Sequence, residues 1–343
     1  MAQTLAYSTD RCWENSSASI EEVNSALEKL RKESQYSATR TAVVNLIALA
    51  NNVHEANLVK KTIRELGSHH PGRTIIITLD QNIVDSSLPK GRFEANVCLF
   101  TSQIGGKNYW SEEVSLNIGG TLQHNLNSLV ESLLVSDLPI ALWRVSGAIT
   151  LEENLIDVSN VILIDTKDGG DKQSGLYNPS LALISNLFSK KTPVVDLSWI
   201  RLTIWRQLFA GLFNSSEFRD FLNDIEQVNI CGKEGPRRLL GGWIVHSLDL
   251  DPDKVSLTDA KHASIQLIGK SGKKVGNFTV KRQPGTRVVQ AQGEIQEGPC
   301  ATQLATLPKL SLPWSLNEAL INPGPDPIFQ GSVLGALKIR DTK

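Results

Sequence analysis

The chain has 343 residues, 41% hydrophobic and 21% charged, with a net charge of −1. That length corresponds to about two domains, each large enough to bury a core. With no basic excess to neutralise phosphates, nucleic acid is excluded as the main partner, and no apolar run approaches the roughly 18 residues of a membrane span.

The N-terminus, MAQTLAYSTDRCWENSS, lacks the layout of a secretory signal. Ser19 and Glu22 form a capping box for a helix to about Ser34, whose Ile20, Val23, Leu27 and Leu30 make a narrow apolar seam expected to dock on its own domain. An α/β alternation follows. The run Thr41 to Ala50 reads as a buried strand, His54 to Leu66 as a helix stopped by Gly67, and Thr74 to Leu79 as a strand apolar on both faces. Phe93 to Thr101 and a half-exposed Glu113 to Ile118 are further strands. A helix spans about Gly120 to Val135. Strands Pro139 to Trp143 and Val161 to Asp165 flank a short helix at Leu151 to Ile156, and a helix at Pro179 to Phe188 closes this half.

Beyond Pro193 the pattern changes. In DLSWIRLTIWRQLFAGLFN, Asp196 to Asn214, apolar residues recur every four positions, which predicts a core-facing helix from about Trp199 to Phe213. A helix at Ser216 to Asn223, a strand at Gln227 to Cys231 and a helix at Pro236 to Ser247 follow. His262 to Ile268, Lys273 to Lys281 and Thr286 to Gly293 read as an antiparallel meander. Six of the fourteen prolines fall from Pro299 onward, so an irregular tail is expected. The predicted fold class is α/β: an arm and helix (1–37), a layered, Rossmann-like α/β domain (38–192), a smaller α+β domain with the meander (193–298) and a Pro-rich tail (299–343).

No residues assemble into a recognisable reaction centre. The first strand leads into NNVHEAN without GxGxxG, so no nicotinamide or flavin site of the usual type is expected. Gly269-Lys270-Ser271 fits a hairpin turn better than a P-loop. His69-His70 lacks a third metal ligand, and His124 falls on a polar helix face. Glu112-Glu113 and Glu152-Glu153 are adjacent, so neither pair can converge as acid and base. Lys270, Lys273, Lys274, Lys281, Arg282 and Arg287 form a basic patch suited to protecting strand edges. The cysteines, Cys12, Cys98, Cys231 and Cys300, stand far apart without a CxxC pair, which predicts reduced thiols in a cytoplasmic setting. No catalytic, cofactor or metal residues are assigned.

Four strings together resemble the OpcA family, the glucose-6-phosphate dehydrogenase assembly protein or subunit, in its cyanobacterial form. They are LLVSDLPIALWRVSG (Leu133 to Gly147), HPGR (His70 to Arg73), YWSEEVSLNIGG (Tyr109 to Gly120) and the Asp196 segment. The resemblance covers most of residues 38 to 250. It implies a non-catalytic partner that binds glucose-6-phosphate dehydrogenase and activates or assembles it in the oxidative pentose phosphate pathway. Two departures stand out: Arg144 follows Trp143 where many relatives carry a tryptophan pair, and no closely spaced cysteines are present for a disulfide switch. Tryptophan and arginine are enriched at binding hot spots, so Trp143, Arg144, Trp199, Arg201, Trp205 and Arg206 are the candidate partner-interface residues. The competing reading is a sugar-phosphate sensor or enzyme using the strand ends, with Arg144 and Lys167 as anion ligands. A scaffold that assembles the dehydrogenase without changing its kinetics is a third.

Overall fold

The computed structural model describes residues 8–33, 42–66, 70, 72–79, 91–104, 107–118, 126–145, 150–168 and 179–340. Two compact units divide the chain. The first comprises Met1–Ile164, Lys191–Pro193 and Leu320–Pro323; the second comprises Asp165–Lys190, Val194–Ala319 and Gly324–Lys343.

The first unit runs β1 (Ser8–Ala18), α1 (Ile20–Glu33), β2 (Val44–Ala50), α2 (Val53–Leu66), β3 (Gly72–Leu79), β4 (Phe93–Ile104), β5 (Lys107–Ile118), α3 (Leu126–Glu131), β6 (Ile140–Arg144), α4 (Glu153–Val158) and β7 (Val161–Ile164). Its strand order is β1-β4-β5-β3-β2-β6-β7. The five strands from β5 to β7 pair in parallel, and β1 and β4 extend the sheet antiparallel. The parallel strands β2 and β3 are buried nearly throughout, as helices on both faces of such a sheet require. Asn45 interrupts the apolar run of β2 at no cost in orphaned groups: its amide donates to the Val135 carbonyl and accepts from the Val135 N–H, both at 2.9 Å.

The capping box closes as the sequence predicts, Ser19 N–H donating to Glu22 at 2.8 Å and Glu22 N–H to the Ser19 hydroxyl at 3.3 Å. Val23, Ala26, Leu27 and Leu30 of α1 are buried within this unit, so the seam docks on its own domain. Glu112 and Glu113 do point apart. Glu112 takes Arg31 at 2.6 Å and Arg73 at 2.7 Å, while Glu113 lies 3.8 Å from Lys60 and 3.6 Å from Arg64. Burial works against the charge of Glu112, but hydrogen bonds and charge from Arg31 and Arg73 outweigh it and lower its pKa. For Glu113 burial prevails over Lys60 and Arg64, and its pKa rises.

The second unit contains α5 (Pro179–Leu187), β8 (Val194–Asp196), α6 (Leu197–Arg201), α7 (Thr203–Leu212), α8 (Ser216–Arg219), β9 (Ile225–Gly232), α9 (Glu234–Ser247), β10 (Val255–Asp259), β11 (Ser264–Ser271), β12 (Lys274–Arg282), β13 (Val288–Ile295), β14 (Cys300–Thr306), α10 (Leu312–Ile321) and α11 (Pro327–Lys338), with α10 belonging to it as far as Ala319. A six-stranded sheet has the order β10-β9-β11-β12-β13-β14, antiparallel except for β9 and β10. Phe278 of β12 is fully buried at its centre, with the rings of Phe213, Phe218 and Phe221 at 4.7, 5.3 and 5.7 Å. GKSGKK is the hairpin turn expected: Ser271 pairs with Lys274, and Gly272 takes φ +60°.

The structure corrects four expectations. The N-terminal arm contains β1, whose polar sequence carries no strand signal and which is held by pairing with β4. That pairing sets Cys12 opposite Cys98, and the two form a disulfide across 86 residues; spacing along the chain gave no warning of neighbours across a sheet. Cys231 and Cys300 are free thiols. The helix expected from Trp199 to Phe213 is two helices, broken at Leu202. The Pro-rich tail holds β14, α10 and α11. Its prolines sit where they do least harm, Pro327 and Pro313 in the first turns of helices and Pro299 just ahead of a strand. His69, His124 and Gly67 lie outside the described residues.

Helices α9 and α11 cross with their backbones almost touching. A Cβ on Gly242 would collide with the Ser332 carbonyl and the Ala336 N–H, and one on Gly335 with the Gly242 carbonyl. Neither clash can be relieved by turning a side chain. Gly242→Ala is therefore expected to destabilise the protein by about 1–3 kcal/mol. Urea unfolding followed by tryptophan fluorescence measures this; an unchanged midpoint would show that the helices separate freely.

Candidate functional site

The segment singled out by sequence organises a polar cluster in the second unit. Asp196 ends β8 and caps α6, its carboxylate accepting from Ser198 N–H at 2.7 Å. The same carboxylate accepts from the Thr166 hydroxyl at 2.6 Å and from Thr166 N–H at 3.4 Å. Beside it, Asp165 accepts from the Ser198 hydroxyl at 2.8 Å and binds Arg201 Nη1 at 2.9 Å. Arg201 Nε in turn donates to the Ser315 hydroxyl at 2.8 Å. Two carboxylates, a cation and three hydroxyls thus tie the turn at Thr166–Asp168 to α6 and α10.

One turn on, Trp199 is fixed from both sides. Its indole N–H donates to Asp326 at 2.7 Å, while the other oxygen of Asp326 caps α11 through Ile328 and Phe329 N–H. The Phe329 ring lies 5.7 Å from the indole. Over the indole ring sits the guanidinium of Arg206, 3.4 Å from the centroid, donating to the Trp199 carbonyl at 3.3 Å and the Thr203 hydroxyl at 3.1 Å. Arg206 Nε is buried without a hydrogen-bond partner among the described residues. Burial pushes the Arg206 pKa down to about 10, against the opposing charge of Asp326.

Among the candidate residues, Trp199, Arg201 and Arg206 therefore come together. Trp205 is on the other face of α7, buried in the core with Phe209 and Leu212. Trp143 and Arg144 belong to the first unit, in β6. Trp143 is 1% exposed and Arg144 7%, and burial lowers the Arg144 pKa to about 10. Lys167 lies in the short turn of the second unit. Trp143, Trp199 and Trp205 are buried, while Arg201 and Arg206 retain partial exposure. Asp165, Asp196 and Asp326 were missed by sequence reading. An aspartate just before an apolar helical run is a capping signal, and it was present at Asp196 and at Asp326.

The carboxylates of this cluster are engaged by donors of the same chain, which makes it a rigid support for surface side chains. No group of three or more His, Cys, Asp or Glu among the described residues could hold a metal ion. No described helix is long and apolar enough to cross a membrane. At the amino ends of β2 and β3 a cavity of about 20 Å³, lined by Val44, Leu46, Ile63, His70 and Arg73, has room for about one water.

Comparison with known proteins places these features in a family. Residues 63–178 match the glucose-6-phosphate dehydrogenase subunit N-terminal domain, and residues 192–333 match the C-terminal domain of the same subunit. Three cyanobacterial relatives, provisionally named OxPP cycle protein OpcA, are similar over part of the chain. The Nostoc punctiforme protein is 25% identical over 147 residues, 41% of this chain and 30% of that one. The Synechococcus elongatus protein is 26% identical over 161 residues, 45% of this chain and 35% of its own. For Synechocystis the identity is 22% over 147 residues. The chain thus spans about a third of the length of the curated relatives it matches.

Asp196 provides a test of the cluster. Burial, then the neighbouring charge of Asp165, raise its pKa to about 7 despite the donors from Thr166 and Ser198. In the unfolded chain the same carboxyl titrates near its ordinary value of about 4. Between those values the folded state holds the extra proton, so stability falls as pH rises from about 4 to 7 and levels off above. Asp196→Asn is expected to remove that part of the slope, read as the difference in melting temperature between variant and parent across the window. Parallel pH profiles would refute the assignment.

With both halves of the glucose-6-phosphate dehydrogenase subunit matched in order, the chain belongs to the OpcA family, in its cyanobacterial form.

Proposed function

We propose that this chain is a non-catalytic subunit that binds glucose-6-phosphate dehydrogenase and activates it allosterically or assembles it, in the cytoplasm, within the oxidative pentose phosphate pathway. The observation that carries the reading is the ordered match to both domains of the dehydrogenase subunit family, across residues 63–178 and 192–333. The rigid cluster around Trp199 is compatible with it. A partner carboxylate would meet the partly exposed guanidinium of Arg206, held in place by its stacking on Trp199.

An activator works by binding the active conformation of its target more tightly than the inactive one. A tenfold rise in apparent substrate affinity needs a coupling of about 1.4 kcal/mol. One desolvated arginine–carboxylate pair supplies that much. In this reading Arg201 and Arg206 reach the dehydrogenase, and Trp143, Arg144, Trp199 and Trp205 act by holding the surrounding surface in place.

The test uses the cognate dehydrogenase with and without this protein, titrated with glucose 6-phosphate. Co-elution and a lowered half-saturation point or raised maximal rate are expected, with Arg206→Ala losing about tenfold of the effect. Absence of both complex and kinetic change sinks the proposal. Altered oligomer size with unchanged kinetics selects assembly over activation. Thermal stabilisation of the isolated protein by glucose 6-phosphate would instead favour a sugar-phosphate sensor.

A further inference from the structure

The sheet of the first unit sets three reactive side chains in one row. Cys12 of the edge strand β1 lies opposite Cys98 of β4, and Cys98 lies opposite Glu113 of β5. Residues directly opposite across a sheet share a face, with Cβ atoms about 5 Å apart. The Cys12–Cys98 disulfide therefore has the Glu113 carboxyl as its neighbour on the inner side. Its two ends differ in access: Cys12 is exposed, whereas Cys98 is 4% exposed.

Glu113 is 2% exposed, and its Oε1 has no hydrogen-bond partner among the described residues. Lys60 and Arg64 of α2 stand 3.8 and 3.6 Å from the carboxyl, too far for good hydrogen bonds. Burial keeps this carboxyl protonated to higher pH than an ordinary glutamate, against the pull of the two cations. Within β4, Asn96 Oδ1 stands 3.2 Å from Cys98 Sγ. Asn96 Nδ2 donates to the Glu14 carboxylate, which only accepts, so the amide oxygen is the atom turned to the sulfur. A disulfide sulfur has no proton to give that oxygen, and a thiol has one. Cys98 is thus flanked by a proton donor and by an acceptor that only its reduced state can use.

We propose that the Cys12–Cys98 bond is a reversible couple opened by a dithiol, with attack at Cys12 and Glu113 as the proton donor to Cys98. A reductant thiolate reaches the exposed Cys12 sulfur and forms a mixed disulfide with it. The Cys12–Cys98 bond breaks, and its electron pair leaves on Cys98. The Glu113 carboxyl passes its proton to that sulfur, and the new thiol donates to Asn96. Lys60 and Arg64 balance the resulting carboxylate until water reprotonates it. The second thiolate of the reductant then attacks the mixed disulfide, and the released Cys12 takes a proton from water. The two cysteines gain two electrons and two protons, and the dithiol loses them in becoming a disulfide. A purely structural bond needs neither an open sulfur nor a protonated acid beside it. The inference goes beyond the dehydrogenase reading and does not rest on it.

The test treats the native full chain with dithiothreitol, quenches with acid, unfolds it and counts alkylated thiols by mass. Before reduction only Cys231 and Cys300 should label, and after it all four cysteines. Divided by the concentration of reductant thiolate, the rate should fall as pH rises between about 5 and 9, because Glu113 loses the proton it supplies. Glu113→Gln should slow reduction about tenfold at the acid end and flatten that profile. Glutathione, a monothiol, should stop at a mixed disulfide that peptide mapping places on Cys12. A bond that opens only once denaturant is added overturns the proposal. So does a mixed disulfide on Cys98, labelling of all four cysteines in the unreduced chain, or a folded Glu113→Gln variant with the parent's rate and profile. Should Glu113→Gln not fold, the parent's profile decides, and a flat one sinks the role of Glu113.

Discussion

A carboxyl group with no access to water organises the candidate site. Asp196 is fully buried, and a charge or half-charge in that position persists only where neighbours donate to it. Thr166 and Ser198 do so, and meeting that need fixes the start of α6 against the turn at Thr166. Once α6 is held, the positions of Trp199 and Arg201 follow from helical geometry. Trp199 then gives Arg206 a ring to stack on, and Asp326 anchors the indole from the far side while capping α11. A chain of local satisfactions, each of ordinary strength, becomes a rigid surface because the members share partners.

The same unit relies on steric exclusion elsewhere. Glycines at the crossing of α9 and α11 let two backbones meet where any Cβ would force them apart, and Ser332 adds a hydrogen bond to the Leu239 carbonyl at 2.7 Å. This packing explains why a stretch rich in proline is regular. Its prolines occupy helix starts and connections, where a missing N–H costs nothing, while its glycines and small residues make α11 fit. In the first unit, adjacent glutamates on one strand feed opposite faces and gather four cations, binding β5 to α1, β3 and α2.

These arrangements recast what tryptophan and arginine contribute. Composition alone marks them as hot-spot residues, because both combine large area with a polar handle. In the folded chain most of that area is spent inward: Trp143, Trp199 and Trp205 are buried, and Arg144 is nearly so. Arg201 and Arg206, which remain partly open, have their charge met by a carboxylate and a ring respectively. A string of such residues can therefore reflect the support of a surface as much as the surface itself.

Local patterns in the sequence carried the α/β class, most helices and strands, the capping box and the hairpin at Gly272, since each depends on residues within a few positions of one another. The family was legible for the same reason, in the strings around Leu133 and Asp196. The strand β1, the Cys12–Cys98 bond, the order of the tail and the union of Asp165, Asp196, Arg201 and Ser315 were decided by tertiary structure. Their partners lie 30 to more than 100 residues apart. No local periodicity encodes such pairs. They exist because sheet pairing and helix packing bring distant backbone segments together, and buried polar groups must then find each other.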